Sequence, residues 1–162
     1  MHTPSLHIRE AVIADLPTLL DFEQALVTYE RAFAPHLRLG EIHYYDLAAY
    51  IKDPHICLVV AEMGGELVGS GYALIRTNKP YKTPEEFIYL GFMYVRPEHR
   101  GQGVNGSIMA YLMDWGKAQG HTEFQLEVFA ENHSALNAYK KMGLVPEILT
   151  MRFDNIPPEN QR

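Results

Sequence analysis

Residues 95–112 read VRPEHRGQGVNGSIMAYL, and this stretch decides the fold. Val95 closes an apolar, aromatic-rich run that begins at Phe87, and Arg96 and Pro97 end it. From Gly103 onward Val104, Ile108, Leu112, Trp115 and Ala118 recur at helical period until Gly120, a glycine stop. A strand therefore feeds a glycine-rich loop that opens a helix. That junction suits an anion, because the first helical turn leaves its amides unpaired and the helix dipole places about half a positive charge there. Gly101, Gly103 and Gly106 keep side chains out of the loop, where a Cβ would hold a phosphate off the backbone. Glycines serving only as a flexible connection would leave this clustering unexplained.

Working outward, residues 6–10 alternate Leu6 and Ile8 with polar neighbours, as a half-buried strand does. Asp15 is placed to cap a helix with Pro17 in its first turn and Leu16, Leu19, Leu20, Leu26 and Val27 on one face toward Arg31. After Ala34, Pro35 and Gly40, residues 41–52 space Ile42, Tyr45, Ala49 and Lys52 three to four apart and predict a second helix ending before Pro54. Residues 56–63 and 66–75 are apolar runs flanking Gly64 and Gly65, the signature of an antiparallel hairpin. Residues 76–86 form a loop. Later in the chain, 124–129 predicts a strand, 132–142 a helix capped by Asn132 and stopped by Gly143, and 148–153 a last strand. The fold class is mixed α/β, with a mostly antiparallel sheet of six to seven strands and about four helices. Residues 1–154 are expected to form one domain, and 155–162, polar with two prolines, a frayed tail.

Taken literally, Gly101, Gly103 and Gly106 satisfy GxGxxG, and Glu123 lies near the expected distance of about 20 residues downstream. An NAD-binding oxidoreductase is one reading of this match. Against it, Arg96 to Arg100 separate the strand from the glycines, and the only strand–helix–strand unit comes late, after a hairpin. The alternative rests on a resemblance. Val95, Pro97, Arg100, Gly101 and Gly103 are similar to the acetyl-CoA motif of the GNAT acetyltransferase superfamily, Q/R-x-x-G-x-G/A. NHSALNAYKKMGL, residues 132–144, resembles a second motif of that superfamily through Asn132, Ala135, Tyr139, Gly143 and Leu144. The order of elements agrees as well. Asn105 departs from the pattern, which has Gly or Ala there.

The resemblance implies an N-acetyltransferase that moves an acetyl group from acetyl-CoA to a primary amine by direct attack. It implies that Arg100, Gly101, Gln102, Gly103, Val104, Asn105 and Gly106 hold the pyrophosphate, and that Met93, Tyr94 and Val95 contact the pantetheine arm through their backbone. Asn132 is expected on the same arm, and Tyr139 as general acid, where a packing tyrosine is the plainer reading. For the base, Glu127 in LEVFAENHSALNAY is similar to the glutamate of ribosomal-protein N-terminal acetyltransferases, and Tyr89 on the preceding strand is its rival. Residues 29–45, with Glu30, Phe33, Glu41, His43, Tyr44 and Tyr45, and the loop 76–86 would shape the acceptor site. Binding of acetyl-CoA without catalysis, as a sensor, is the other class of function compatible with this sequence.

Composition limits the remaining choices. The chain has 162 residues, 47% of them hydrophobic, and a formal net charge of -6 with its Lys and Arg scattered, which favours neither nucleic acid nor an anionic membrane as partner. Eight histidines form no metal-ligand spacing, so no metal is expected. A single cysteine, Cys57, in an apolar run reads as a buried hydrophobe, and with no secretory signal at the N-terminus a cytoplasmic location is expected. Partner expectations are a small-molecule or peptide amine, and a homodimer through the apolar segment 148–153.

Overall fold

Alternation along the strands sorts apolar side chains onto two faces, and a helical layer covers each. The computed structural model describes residues 3–155. β1 (Leu6–Glu10), β2 (Ile56–Met63), β3 (Glu66–Thr77) and β4 (Glu86–Val95) form an antiparallel meander, and β5 (Phe124–Gln125) adds in parallel to β4, giving the order β1-β2-β3-β4-β5. Gly64 and Gly65 turn β2 into β3 with φ of 59° and 81°, the pair of positive values that a two-residue type I′ hairpin needs. α3 (Val104–Ala118) is the crossover from β4 to β5 and lies on the face formed by Cys57, Val59, Ala61, Ala73, Ile88 and Leu90. α1 (Leu16–Glu30) and α2 (Leu47–Lys52) cover the other face, where Leu19, Phe22 and Leu47 pack on Leu58, Val60, Tyr72 and Phe92. α4 (His133–Lys141) turns Tyr139 toward the α3 side.

β4 changes phase half-way along. Ile88 and Leu90 face α3, whereas beyond Phe92 it is Met93 and Val95 that do so. A bulge opposite Ser70 and Tyr72 absorbs the extra residue, and Phe92 sits in it at φ 55°, a conformation that a bulky side chain seldom adopts. Its surroundings hold it there: Ser70 Oγ donates to the Phe92 carbonyl at 3.1 Å, and the Phe92 ring packs 5.2 Å from that of Tyr45.

Three elements differ from the sequence expectation. The second helix spans only Leu47–Lys52, with Asp46 as its cap accepting from the Ala49 amide at 3.1 Å. Residues 41–46 carry the helical spacing because Ile42 and Tyr45 are both packed inward, but Glu23 takes the Tyr44 and Tyr45 amides and the segment is not helical. Secondly, five strands are formed among the described residues instead of six to seven, since β5 covers two residues and 148–153 pairs with nothing. Despite its strand propensity, 148–153 joins none of the sheet edges, and Ile148, Met151 and Phe153 stay 74%, 83% and 89% exposed. Thirdly, Asp15 does not cap α1. Its carboxylate accepts from the Val12 amide and pairs with Arg9 at 2.8 Å, which holds the Asp15 carboxyl below the usual range. The tail expected at 155–162 lies outside the described residues beyond Asn155.

Candidate active site

The two ends of β4 behave differently toward β5. Ile88 and Tyr89 pair with Phe124 and Gln125, and from Leu90 on the strands separate, so that edge of β4 has no strand partner among the described residues. The opening is a consequence of the short β5 and of the bulge at Phe92. At its upper end the chain turns through Pro97–His99 into the glycine loop and α3.

The loop has the shape of an anion cradle. Gly101 and Gly103 adopt φ of 74° and 82°, and no side chain caps α3. The amide of Ser107 makes the bond back to the Gly103 carbonyl that opens the helix, so the amides before it are available to another acceptor. A Cβ added at Gly101, Gly103 or Gly106 would meet nothing within 4 Å, so the glycines face open space and not a packing neighbour. This geometry fits a diphosphate. Val104 is buried and offers only its backbone, and the Gln102 side chain is tied to the Glu98 carbonyl. Asn105 begins the helix with its Oδ1 buried and without a hydrogen-bond partner among the described residues, so that atom does not lie across the outer face of the loop. Arg100 donates from Nε to the Val95 carbonyl at 3.0 Å, which ties the loop to the end of β4.

Both sequence motifs meet at α1. Tyr29 lies under the Arg100 guanidinium, 5.4 Å from ring centre, and its hydroxyl donates to Asn132 Oδ1 at 3.4 Å. Asn132, 8% exposed, caps α4 as expected by accepting from the Ala135 amide. Its side-chain NH2 remains for a further acceptor. Sequence reading placed Tyr29 only at the margin of the acceptor region, because nothing in its local spacing shows that α1 ends between the two motifs.

Below the opening the candidate catalytic groups converge in part. Tyr139 is half-buried against the α3 side, and burial, with Glu30 and Tyr89 adding to it, pushes its phenol up to about 12. Burial likewise raises the Tyr89 phenol, and the Glu127 charge raises it further. Glu127 itself is exposed, just beyond β5. Met93 is half-buried toward α3 and Tyr94 is buried against Phe22, so both offer backbone and not side chain to the opening. On the α1 and α2 side, Tyr45 and Tyr50 pack around Tyr72 with ring centres 5.3 and 5.4 Å away. Tyr72 fills the place that a side chain at Gly91 would take, its Cζ lying 2.5 Å from such a Cβ. Glu30, at the end of α1, accepts from Tyr44 and has its carboxyl raised by burial.

Residues 20–144 match the acetyltransferase (GNAT) family. The chain belongs to that family. It is accordingly an N-acetyltransferase, an acyltransferase with an amine as acceptor. It is 30% identical over 145 residues to the thialysine N-epsilon-acetyltransferase of Sus scrofa, covering 86% of this chain and 84% of that one. In fold it is similar to a predicted acetyltransferase from Clostridium acetobutylicum solved with acetyl-CoA (TM-score 0.71, 16% identity, 93% of this chain and 96% of that one). An aminoglycoside N-acetyltransferase in complex with CoA gives a TM-score of 0.71 at 17% identity, over 93% of this chain and 100% of that one. The NAD reading falls with the sheet: a dinucleotide fold needs a series of parallel strands, and among the described residues only β4 and β5 are parallel. Among the described residues no group of three or more His, Cys, Asp or Glu is arranged for a metal, and no helix is long and apolar enough to cross a membrane.

Proposed function

We propose that this GNAT family member takes its acetyl group from acetyl-CoA and transfers it to a primary amine, of a small molecule or a peptide, by direct attack in a ternary complex. The open glycine cradle set directly above the unpaired edge of β4 carries this reading. Acetyl-CoA, when bound, supplies the activated acyl carbon. Amides of Gly101 to Gly106 and the Arg100 charge hold the diphosphate, with Gln102, Val104 and Asn105 contributing backbone. Backbone groups of Met93, Tyr94 and Val95 and the Asn132 side chain line the arm.

Glu127 takes the proton of the amine, directly or through water, since an amine of pKa near 10.4 attacks only when neutral. Tyr89, its phenol raised by burial, stays protonated at neutral pH and is better suited to orient that nitrogen than to deprotonate it. Tyr139 donates to the departing sulfur. No covalent acetyl-enzyme is needed, since the lone thiol, Cys57, is buried and pushed up to about 12.

Melting temperature tests the donor. Acetyl-CoA or CoA at about 100 times its dissociation constant adds about 2.7 kcal/mol and raises the midpoint by several degrees, while NAD at equal excess leaves it unchanged. No shift with either CoA species would end this reading.

A cytoplasmic location and a homodimer belong to the same proposal. The dimer is supported by residues 145–153, where Val145, Ile148, Leu149, Met151 and Phe153 are each at least 64% exposed and close together in sequence, apolar surface that a partner would cover. Light scattering after gel filtration is expected to give twice 18.5 kDa, and Ile148→Asp with Met151→Asp to give the monomer. A wild-type chain of 18.5 kDa at tens of micromolar removes the dimer.

A further inference from the structure

β3 and β4 meet at Tyr72 and Gly91, which are direct partners in the sheet. On the α1 and α2 face of β4, Gly91 is the first position beyond the last pair with β5, so it stands at the lower end of the opening. Its φ is not positive, so the backbone does not call for glycine there. Tyr72 does: its ring edge and hydroxyl lie closer to the position of a Cβ at Gly91 than two atoms can approach, and any side chain would push the hydroxyl away. Tyr45, Tyr50 and Tyr89 hold the ring in place, with centres 5.3, 5.4 and 6.3 Å from it. Tyr72 is 2% exposed, yet its hydroxyl makes no hydrogen bond with any described residue. A glycine within a strand and an enclosed hydroxyl without a partner each weaken a fold, and phenylalanine facing a larger residue would avoid both. Both weaknesses fall where β4 parts from β5.

Resting on the proposed amine transfer, we infer that the Tyr72 hydroxyl binds the attacking amine, accepting one of its N–H groups and holding the nitrogen over Gly91 with its lone pair toward the acyl carbon. The layers fix the approach: α3 covers one face of the sheet, so an acceptor reaches the edge of β4 from the face on which Tyr72 stands. The surrounding charge suits an amine. Glu127 acts on Tyr72 and Tyr89, and Glu30 on Tyr89 and Tyr45, against the one guanidinium of Arg76, which lies 3.6 Å over the Tyr89 ring and hydrogen-bonds its phenol. Two carboxylates to one cation favour a group that gains positive charge. The nitrogen does so as its bond to the acyl carbon forms and the C–S bond breaks, and its bond to the Tyr72 oxygen therefore strengthens toward the transition state. The nitrogen's proton passes to Glu127, and the sulfur keeps the electron pair and takes the Tyr139 hydrogen bond. Tyr72 keeps its own proton, because burial raises its phenol. A neutral primary amine has two N–H groups, so Tyr72 takes one and leaves the other to Tyr89.

Tyr72→Phe tests this with acetyl-CoA and 1,5-diaminopentane, free lysine or a peptide amino terminus, whichever the wild-type chain turns over fastest. Loss of the hydroxyl is expected to lower kcat/KM for the amine about 10-fold, the lower end for a hydrogen bond to a charged group, with KM for acetyl-CoA unchanged and the melting temperature equal or higher. Gly91→Ala, which keeps the tyrosine and displaces its hydroxyl, is expected to lower the same ratio at least as far. A hydroxyl that served packing alone would give a lower melting temperature in Tyr72→Phe with the kinetics unaltered. That pattern overturns the inference, as does an unchanged kcat/KM with unchanged melting, and in both amine transfer stands. If the wild-type chain turns over none of the three amines, amine transfer fails and the role of Tyr72 with it.

Discussion

Tyr139→Phe is expected to lower kcat about 100-fold and to leave the stabilisation by acetyl-CoA in place. Burial raises this phenol to about 12, so it is protonated at neutral pH. A thiol has pKa about 8.5, so complete proton transfer from such a phenol to the free thiolate is uphill, and the hydroxyl acts mainly by donating to sulfur as charge develops. A hydrogen bond to a charged group is worth about 1.5–3 kcal/mol, or about 10- to 100-fold, and general acid catalysis contributes about 10²- to 10⁴-fold. The two ranges meet near 100-fold. Phenylalanine keeps the ring that packs against the α3 side, so cofactor binding and melting temperature should change little. A basic limb in the pH profile of kcat near neutrality would belong to another group, because Tyr139 loses its proton far above that range. Turnover equal to wild type would remove Tyr139 from the mechanism.

The parts of this site that were legible in the sequence are those written into the backbone. Gly101 and Gly103 are needed where φ is positive, Asn132 where a helix starts, and Gly64 with Gly65 where a hairpin turns, so residue type and local structure correspond one to one. The acceptor side was legible only as a set of residues. Tyr29, Arg76 and Tyr72 take their roles from packing between α1, β3 and β4, and no local pattern says which ring a given guanidinium will cover. The two elements that differed most, residues 41–46 and 148–153, have correct local patterns. In the first, a buried carboxylate captures the amides that a helix would have used. In the second, a strand-like sequence stays exposed and joins no strand among the described residues.

That buried carboxylate carries the largest expected effect on stability. Glu23 is 0% exposed, its Oε2 accepts from the amides of Tyr44 and Tyr45 at 2.9 and 3.0 Å, and its Oε1 faces His43 Nδ1 at 2.8 Å. Glu23→Ala leaves two amides without acceptors beside a new cavity, a loss of about 3–5 kcal/mol. For a chain of this size that lowers the melting point by about 10 °C. Glu23→Gln keeps one oxygen for the amides and costs less. Either change frees residues 41–46, and with them the Tyr45 ring that packs on Tyr50, Tyr72 and Phe92, so KM for the amine should rise while the response to CoA persists. The sign of the pH dependence follows from His43, whose pKa is raised first by its hydrogen bond to Glu23 and further by Glu41. A raised histidine stabilises fully below its unfolded pKa, about 6.5, and that contribution is lost as pH rises through the higher folded value. The gap in melting temperature between wild type and Glu23→Gln should therefore be wider at pH 6 than at pH 9. A Glu23→Ala chain that melts within about 2 °C of wild type, under the same conversion of energy into melting temperature, would show that Glu23 does not hold the acceptor segment.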